Sequence, residues 1–263
     1  MKVHHLRNAT MVIESKNKFI LVDPMLGAKA SLPPFSFIRF KAKKNPLVDL
    51  PKNASELLSK ITHVLITHTH TFGLKALQHT DHLDQAGEQF IKKRKLPVFV
   101  GKHDEKYMRK YGFNILGTAD YWETVDFLDG KLTVVPALHG HGWNNKLMAN
   151  GSGYFIQLPD EPSIYISGDT VLTDDVKKAL KDLKPDIAVV ASGTATVDMG
   201  PPILMIQEEI KDFISLAPGK VICNHLEALN HCPTTREDVR RVTQESNFTE
   251  KVYVPEDGEC IEL

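Results

Sequence analysis

The sequence predicts a layered α/β fold, and three observations carry that reading. Short β-branched and apolar runs recur along the chain, at first alone and then alternating with stretches of helical period. Four of those runs end directly on a residue that can bind a metal, namely His68, His139, Asp169 and His225. No Gly-x-Gly-x-x-Gly follows any strand, so the doubly wound dinucleotide-binding arrangement is not indicated. Sheets stacked in layers and flanked by helices fit this pattern. A length of 263 residues suits one large domain, 1–263, better than two small ones.

Taken in order, Thr10 to Glu14 and Phe19 to Val22 read as a hairpin around Ser15-Lys16-Asn17-Lys18, closed by Asp23-Pro24 because proline cannot continue a ladder. Residues 26–52 are irregular, with Phe35, Phe37, Ile38 and Phe40 set among Arg39, Lys41, Lys43 and Lys44, and form a long loop whose aromatics pack onto the body of the protein. A short helix over Ala54 to Ser59 precedes a buried strand, His63 to Thr67, that runs into His68. Pro97 to Val100 is a strand and His103 to Tyr111 a helix. The strands Lys131 to Ala137 and Ser163 to Ser167 lead into His139 and Asp169. Thr173 caps a helix that extends to Leu183, and Asp186 to Ala191 is an apolar strand. Ile206, Ile210 and Ile214 give helical spacing over Ile203 to Leu216, and Lys220 to Cys223 leads into His225. Thr234-Thr235-Arg236-Glu237 reads as a capping box opening a helix to about Glu245.

Composition narrows the function. The 32 basic and 33 acidic residues balance, so no long-range field favours nucleic acid or an anionic membrane. Three cysteines without a Cys-x-x-Cys pair exclude a disulfide framework and a sulfur-bound structural zinc, and read as free thiols in a reducing compartment. No signal-type apolar run and no stretch of about 20 apolar residues is seen. The expectation is a soluble, cytoplasmic protein acting on a small molecule, with no nucleic-acid or membrane partner and with homo-oligomerisation left open.

One histidine among 12 means little; four independent strands ending in a ligand-type residue mean more, because strand ends deliver side chains to the rim where sites form. In His68-Thr69-His70 the i, i+2 spacing places both imidazoles on one side of an extended chain. Asp81 and His82 are adjacent and serve one metal only if the backbone turns there. Imidazole nitrogen and carboxylate oxygen suit zinc, with manganese or iron(II) as alternatives.

The series Arg7-Asn8-Ala9-Thr10, Leu21-Val22-Asp23-Pro24-Met25, Ser167-Gly168-Asp169-Thr170 and His225-Leu226-Glu227-Ala228-Leu229-Asn230-His231-Cys232 resembles the metallo-β-lactamase-fold hydrolases over nearly the whole chain. Within them it looks closest to the branch of the ascorbate-6-phosphate lactonases. The resemblance implies a four-layer αββα sandwich with a dinuclear centre at the edge between two sheets. By position His68, His70 and His139 would hold a first metal, Asp81, His82 and His225 a second, and Asp169 would bridge them. It also implies a metal-dependent hydrolase using one or two Zn2+ ions, in which a metal-activated hydroxide attacks a small ester, lactone or phosphoester and Asp81 orients the nucleophile and protonates the leaving group.

The family motif His-x-His-x-Asp-His is interrupted here by nine residues, Thr71 to His79. His-Thr occurs on both sides of the insert, so either His70 or His79 is the second ligand; His70 is favoured because it keeps the His-x-His geometry of the strand end. The alternative function is a metal-poor fold relic, with ligands splayed by the insert and a binding or regulatory role. Among other residues, Asp23 is a candidate for holding a ligand histidine, His231 for an outer-shell or substrate contact, and His141 for a polar loop position. Asn8 reads as a turn residue and Trp143 as packing.

Overall fold

The computed structural model describes all residues except Thr71, Ala149 and Asn150. Thr71, the first residue of the insert, therefore lies outside the described residues. Two seven-stranded mixed sheets stack face to face. The first contains β1 (Lys2–Arg7), β2 (Thr10–Ser15), β3 (Lys18–Val22), β4 (His63–Ile66), β5 (Pro97–Gly101) and β6 (Asn114–Ala119) in that order. The second runs from β7 (Thr124–Phe127) through β8 (Gly130–Ala137), β9 (Gly151–Gln157), β10 (Ile164–Ile166), β11 (Ile187–Ala191) and β12 (Lys220–Asn224) to β13 (Val252–Tyr253). The C-terminal β14 (Cys260–Glu262) returns to the first sheet and pairs antiparallel with β1.

The period-2 alternation of each strand assigns its two faces to different layers. Met11 and Ile13 of β2, Ile20 and Val22 of β3, and Leu65 of β4 point into the space between the sheets, where they meet Val134, Tyr154, Ile164, Ile187 and Val189. The intervening residues Val12, Leu21, Val64 and Ile66 pack outward under α1 (Ala54–Lys60), α2 (Gln85–Arg94) and α3 (Lys102–Lys110). On the far side Ala188, Val190 and Val221 pack beneath α4 (Asp174–Lys178), α5 (Gln207–Leu216) and α6 (Arg236–Glu245). The result is the four-layer αββα sandwich.

The hairpin, the loop at 26–52 and the strands leading to the four ligand-type residues form as the sequence indicates. Thr173 caps α4 by accepting the Val176 N–H at 3.2 Å, and the helix continues as a π-helical turn over Ala179–Leu183. The capping box lies one residue later than the sequence suggested: Thr235 is the cap and pairs reciprocally with Asp238. α5 begins at Gln207, since residues 203–205 are buried in irregular chain.

Several elements escaped the sequence reading, among them β6, β7, β9, β13 and β14, and for two others, β1 and α2, the reason is identifiable. β1 carries His4, His5 and Arg7, which look unlike a core strand. They are buried because each has a partner: Glu14 for His4, Asp257 for His5, and the carbonyls of Val48, Met25 and Gly27 for Arg7. In α2, Gly87 weakens the helical signal, yet a Cβ there would lie 2.0 Å from the Pro24 carbonyl oxygen. Close approach of the helix to the loop after β3 demands glycine.

Of the 26–52 aromatics, Phe35 packs partly buried as expected and Phe40 is half-buried, while Phe37 and Ile38 are exposed. Their backbone is held instead by the Asp198 carboxylate, which accepts the N–H groups of Phe37, Ile38 and Arg39. Between the sheets, Phe99 packs edge-on against Phe127 and Tyr154. Phe99→Ala is expected to cost about 3–5 kcal/mol through lost burial and a residual cavity, measured as the shift of a urea unfolding curve.

Candidate metal centre

The four strand ends meet at one edge of the sandwich. His68 follows β4, His139 follows β8, Asp169 follows β10 and His225 follows β12. His225 has φ of 60° and Asp23 of 45°, in the left-handed region that costs a non-glycine residue energy and is found where surrounding structure enforces it. The His225 N–H donates to the Asn8 carbonyl at 3.0 Å, which holds that turn. At Gly193 an added Cβ would sit 2.2 Å from the His225 carbonyl oxygen, so only glycine lets β11 and the His225 turn approach this closely.

Two groups of ligand-type atoms result, each within 4.8 Å of one another: His68, His79 and His139, then Asp81, His82, Asp169 and His225. Asp169 Oδ2 joins them, lying 3.1 Å from His82 Nε2, 3.5 Å from His225 Nε2 and 3.6 Å from His139 Nε2. The turn required for Asp81 and His82 to act together is present, with the N–H groups of His82 and Leu83 both donating to the His79 carbonyl.

The geometry places His79, rather than the favoured His70, beside His68. His68 Nε2 lies 3.1 Å from Nδ1 of His79, whereas His70 points away, over the Tyr107 ring and 3.4 Å from Asp104 Oδ1. The reason is a backbone excursion. His70 bridges to Gln78 and the His79 N–H donates to the Thr69 carbonyl at 2.8 Å, so the chain leaves the strand end and returns beside it. Residue 79 thereby takes the place beside His68 that residue 70 holds in an unbroken motif. The insert does not splay the cluster apart.

Each remaining histidine has one ring nitrogen engaged away from the centre. Asp23 Oδ2 takes His82 Nδ1 at 2.9 Å and also accepts the Thr67 hydroxyl, so the role suggested for Asp23 is met. The Ile203 carbonyl accepts from His139 Nδ1 at 2.8 Å. His68 Nδ1 lies 3.0 Å from the Thr67 hydroxyl, and His225 Nδ1 is 3.6 Å from Cys232 Sγ. Partners of this kind fix ring orientation and tautomer in metal sites. On the inner side, His225 Nε2 and Asp169 Oδ1 are buried without hydrogen bonds, and His82 Nε2 has the Asp169 carboxylate beside it. Convergent, desolvated and unsatisfied donors of nitrogen and oxygen fit a divalent cation, with no thiolate among them.

The electrostatics are those of a packed charge cluster. Burial would raise the Asp169 carboxyl, but His82, His225 and His139 outweigh it and hold it well below the usual range. Burial would lower His82, yet Asp169, Asp23 and Asp81 hold it well above its ordinary value. Burial dominates at His68 and at His139, which are both lowered, and at His79, lowered to about 4.

The centre opens onto a cavity of about 300 Å³ lined by Phe35, Leu77, Leu147, Met148, Val197 and Ile203, with His79, Asp81, His139 and His231 at its floor and side. Among the described lining residues there is no lysine or arginine. Lys41, Lys43 and Lys44 are exposed on the long loop, and the Arg39 guanidinium donates to the Gly200 carbonyl. Asn8 does more than turn the chain, because its amide donates to the Asp81 carbonyl at 3.1 Å. His141 pairs with Glu209 as a loop residue, and Trp143, about half exposed, lies beside Gly200.

This edge-of-sandwich cluster of histidines and aspartates defines a metallo-hydrolase-type centre. A family model described as the Beta-lactamase superfamily domain matches residues 18–225, and the chain belongs to that family. It is 32% identical to UPF0173 protein YddR of Bacillus subtilis, with 98% of each chain covered. It is also 26% identical over the full length of both chains to UPF0173 metal-dependent hydrolase MK1542 of Methanopyrus kandleri. Among solved structures it superimposes on a possible metal-dependent hydrolase from Veillonella parvula with a TM-score of 0.87, at 32% identity and covering 100% and 99% of the two chains. An isothiocyanate hydrolase from Delia radicum gut bacteria gives 0.86 at 30% identity, with the same coverage. By fold and by likeness the chain stands among the metal-dependent hydrolases of the metallo-β-lactamase fold.

Two outcomes are expected. His79→Ala lowers the metal content by about one ion per chain, while His70→Ala leaves it unchanged, read by elemental analysis after dialysis against zinc. The second concerns Asp104, behind His70, whose carboxyl burial raises to about 7 against the opposing Thr69 hydrogen bonds. An unfolded aspartate titrates near ~3.9, so the native state holds the extra proton between the two values and stability falls as pH rises through that window. Asp104→Asn removes this slope, and its stability relative to the parent should grow by about 2–3 kcal/mol between ~pH 5 and ~pH 8 in urea unfolding.

Proposed function

We propose that this chain is a dinuclear metal-dependent hydrolase of small, neutral electrophiles, with an aryl or alkyl isothiocyanate as its representative substrate and a neutral ester or lactone in the same class. In this reading His68, His79 and His139 would hold one metal and Asp81, His82 and His225 the other, with Asp169 close to both groups. Zinc is the first expectation, with manganese and iron(II) compatible with the same donors. The bound ions supply Lewis acidity and lower the pKa of water to about 7.

The observation that carries the substrate class is the cavity wall. Phe35, Leu77, Leu147, Met148 and Val197 offer an apolar surface with no cation among the described lining residues. A phosphate carried away from the metals, as in the phosphorylated lactones suggested by the sequence resemblance, would be desolvated against that wall without a cationic side chain, which is costly. A hydrocarbon body attached to a compact reactive carbon meets the wall favourably. The likeness to the isothiocyanate hydrolase, over the whole chain, supports the same choice.

The reaction balances as R–N=C=S + H2O giving R–NH2 and carbonyl sulfide. The water oxygen bonds to the central carbon, two protons reach nitrogen, and the carbon–nitrogen bond breaks. Asp81, buried beside the centre and lining the cavity, orients the water and carries a proton toward the leaving nitrogen. Its carboxyl stays ionised because His82 and His79 outweigh the burial that would raise it. Asp23 and Ile203 keep the rings of His82 and His139 in place during this exchange.

The metal-loaded protein is expected to turn over benzyl isothiocyanate and an unphosphorylated lactone at least 100-fold faster than 4-nitrophenyl phosphate, and to lose this activity in chelator. Preference for the phosphate ester would reject the substrate class, and turnover undiminished in chelator would reject metal dependence.

A further inference from the structure

His231 is a wall residue with a ring nitrogen left over once the centre is assembled. It lies six positions beyond His225, is 4% exposed and lines the cavity beside Asp81, His79 and His139. The other polar wall side chain of comparable reach, Gln78, is fully engaged: its amide nitrogen donates to the Leu83 carbonyl and to Glu88, and its oxygen accepts from Tyr107 and Lys75. The His231 ring is held edge-on by Phe35, with centroids 5.3 Å apart and an interplanar angle of 86°. Its Nδ1 is 3.9 Å from Cys232 Sγ, and among the described residues no hydrogen bond to its Nε2 is seen.

Cys232 links this ring to the centre. Its Sγ stands between His225 Nδ1 at 3.6 Å and His231 Nδ1 at 3.9 Å. His225 turns its buried, unsatisfied Nε2 toward the cluster, so its proton resides on Nδ1 and donates to the sulfur. The thiol is buried between the two rings and, like an ordinary cysteine, carries its proton at neutral pH. Its single hydrogen is then free to donate to His231 Nδ1. A neutral His231 that accepts at Nδ1 must carry its own proton on Nε2, the nitrogen on the side of the ring away from Cys232.

We propose that His231 is a substrate-contacting catalytic residue, a neutral imidazole donating from Nε2–H to the heteroatom on which charge develops, and that Cys232 is a positioning residue that selects this tautomer. For an isothiocyanate the acceptor is the nitrogen or sulfur flanking the attacked carbon; for an ester or lactone it is the carbonyl oxygen. A donor already aimed at developing charge in a dry cavity accelerates reaction without reorganisation. The inference rests on the hydrolase reading and extends it to the chain's own electrophilic group.

The test combines two readouts on the metal-loaded protein. Long-range 1H–15N spectra of the histidine rings should show His231 as the Nε2–H tautomer in the parent, and a mixture of tautomers in Cys232→Ala. With benzyl isothiocyanate, His231→Ala should lose about 100-fold in kcat/KM, mostly in kcat, at unchanged metal content. His231→Gln, which keeps an N–H donor, should recover to within about tenfold of the parent, and Cys232→Ser should be milder than Cys232→Ala. An Nδ1–H tautomer in the parent overturns the inference whatever the kinetics. Normal turnover with His231→Ala within twofold of the parent overturns it and leaves the hydrolase reading standing. A parent that binds metal but hydrolyses neither benzyl isothiocyanate nor the lactone removes both.

Discussion

Burial of the Asp169 carboxylate is the constraint from which the rest of this structure follows. An isolated charge in a protein interior is expensive, and it persists only where opposite charge or a metal compensates it. Here three imidazole nitrogens from three different chain segments stand within 3.6 Å of one carboxylate oxygen. That convergence requires the ends of β8, β10 and β12 to meet the turn that carries His82, which requires two twisted sheets stacked in a fixed relation. The inter-sheet core around Phe99, Tyr154 and Ile164 sets that relation, so packing far from the centre determines the distances within it.

A further shell of ordinary groups turns convergence into orientation. Asp23 ties the Thr67 hydroxyl and the His82 ring together, the Ile203 carbonyl holds His139, and Cys232 stands behind His225. Each engages the outer nitrogen and leaves the inner one directed at the cluster. The unsatisfied inner atoms are a cost to the folded chain that bound cations would remove. Strain at His225 and close approach at Gly193 are parts of the same arrangement, since both bring the His225 turn onto the end of β11.

The interrupted motif shows how a site survives an insertion. A loop that leaves and re-enters at neighbouring points costs little closure entropy. The His70–Gln78 bridge and the hydrogen bond from His79 to Thr69 close it at its base. His79 replaces His70 beside His68, and the excursion adds Leu77 and Gln78 to the cavity wall. The insert thus forms part of the cavity wall beside the histidine and aspartate cluster.

The sequence by itself determined the layered fold, most strands and helices, and the ligand-type residues at four strand ends, because each is written in local periodicity or in a residue type that follows directly on an apolar run. It did not reveal β1, whose His4, His5 and Arg7 are acceptable in a buried strand only through partners at Glu14, Asp257 and the carbonyls of Val48, Met25 and Gly27. It hid α2 behind Gly87, a glycine explained only by the Pro24 carbonyl beside it. It could not choose between His70 and His79, since both sit in identical His-Thr pairs and the choice depends on where the insert re-enters the strand end. Nor could it tell that the loop lysines stand away from the cavity while Leu77, Leu147 and Val197 line it. Tertiary structure alone decided these points: contacts between residues distant in the chain leave no periodicity, and a side chain's surroundings are fixed only when the sheets close on one another.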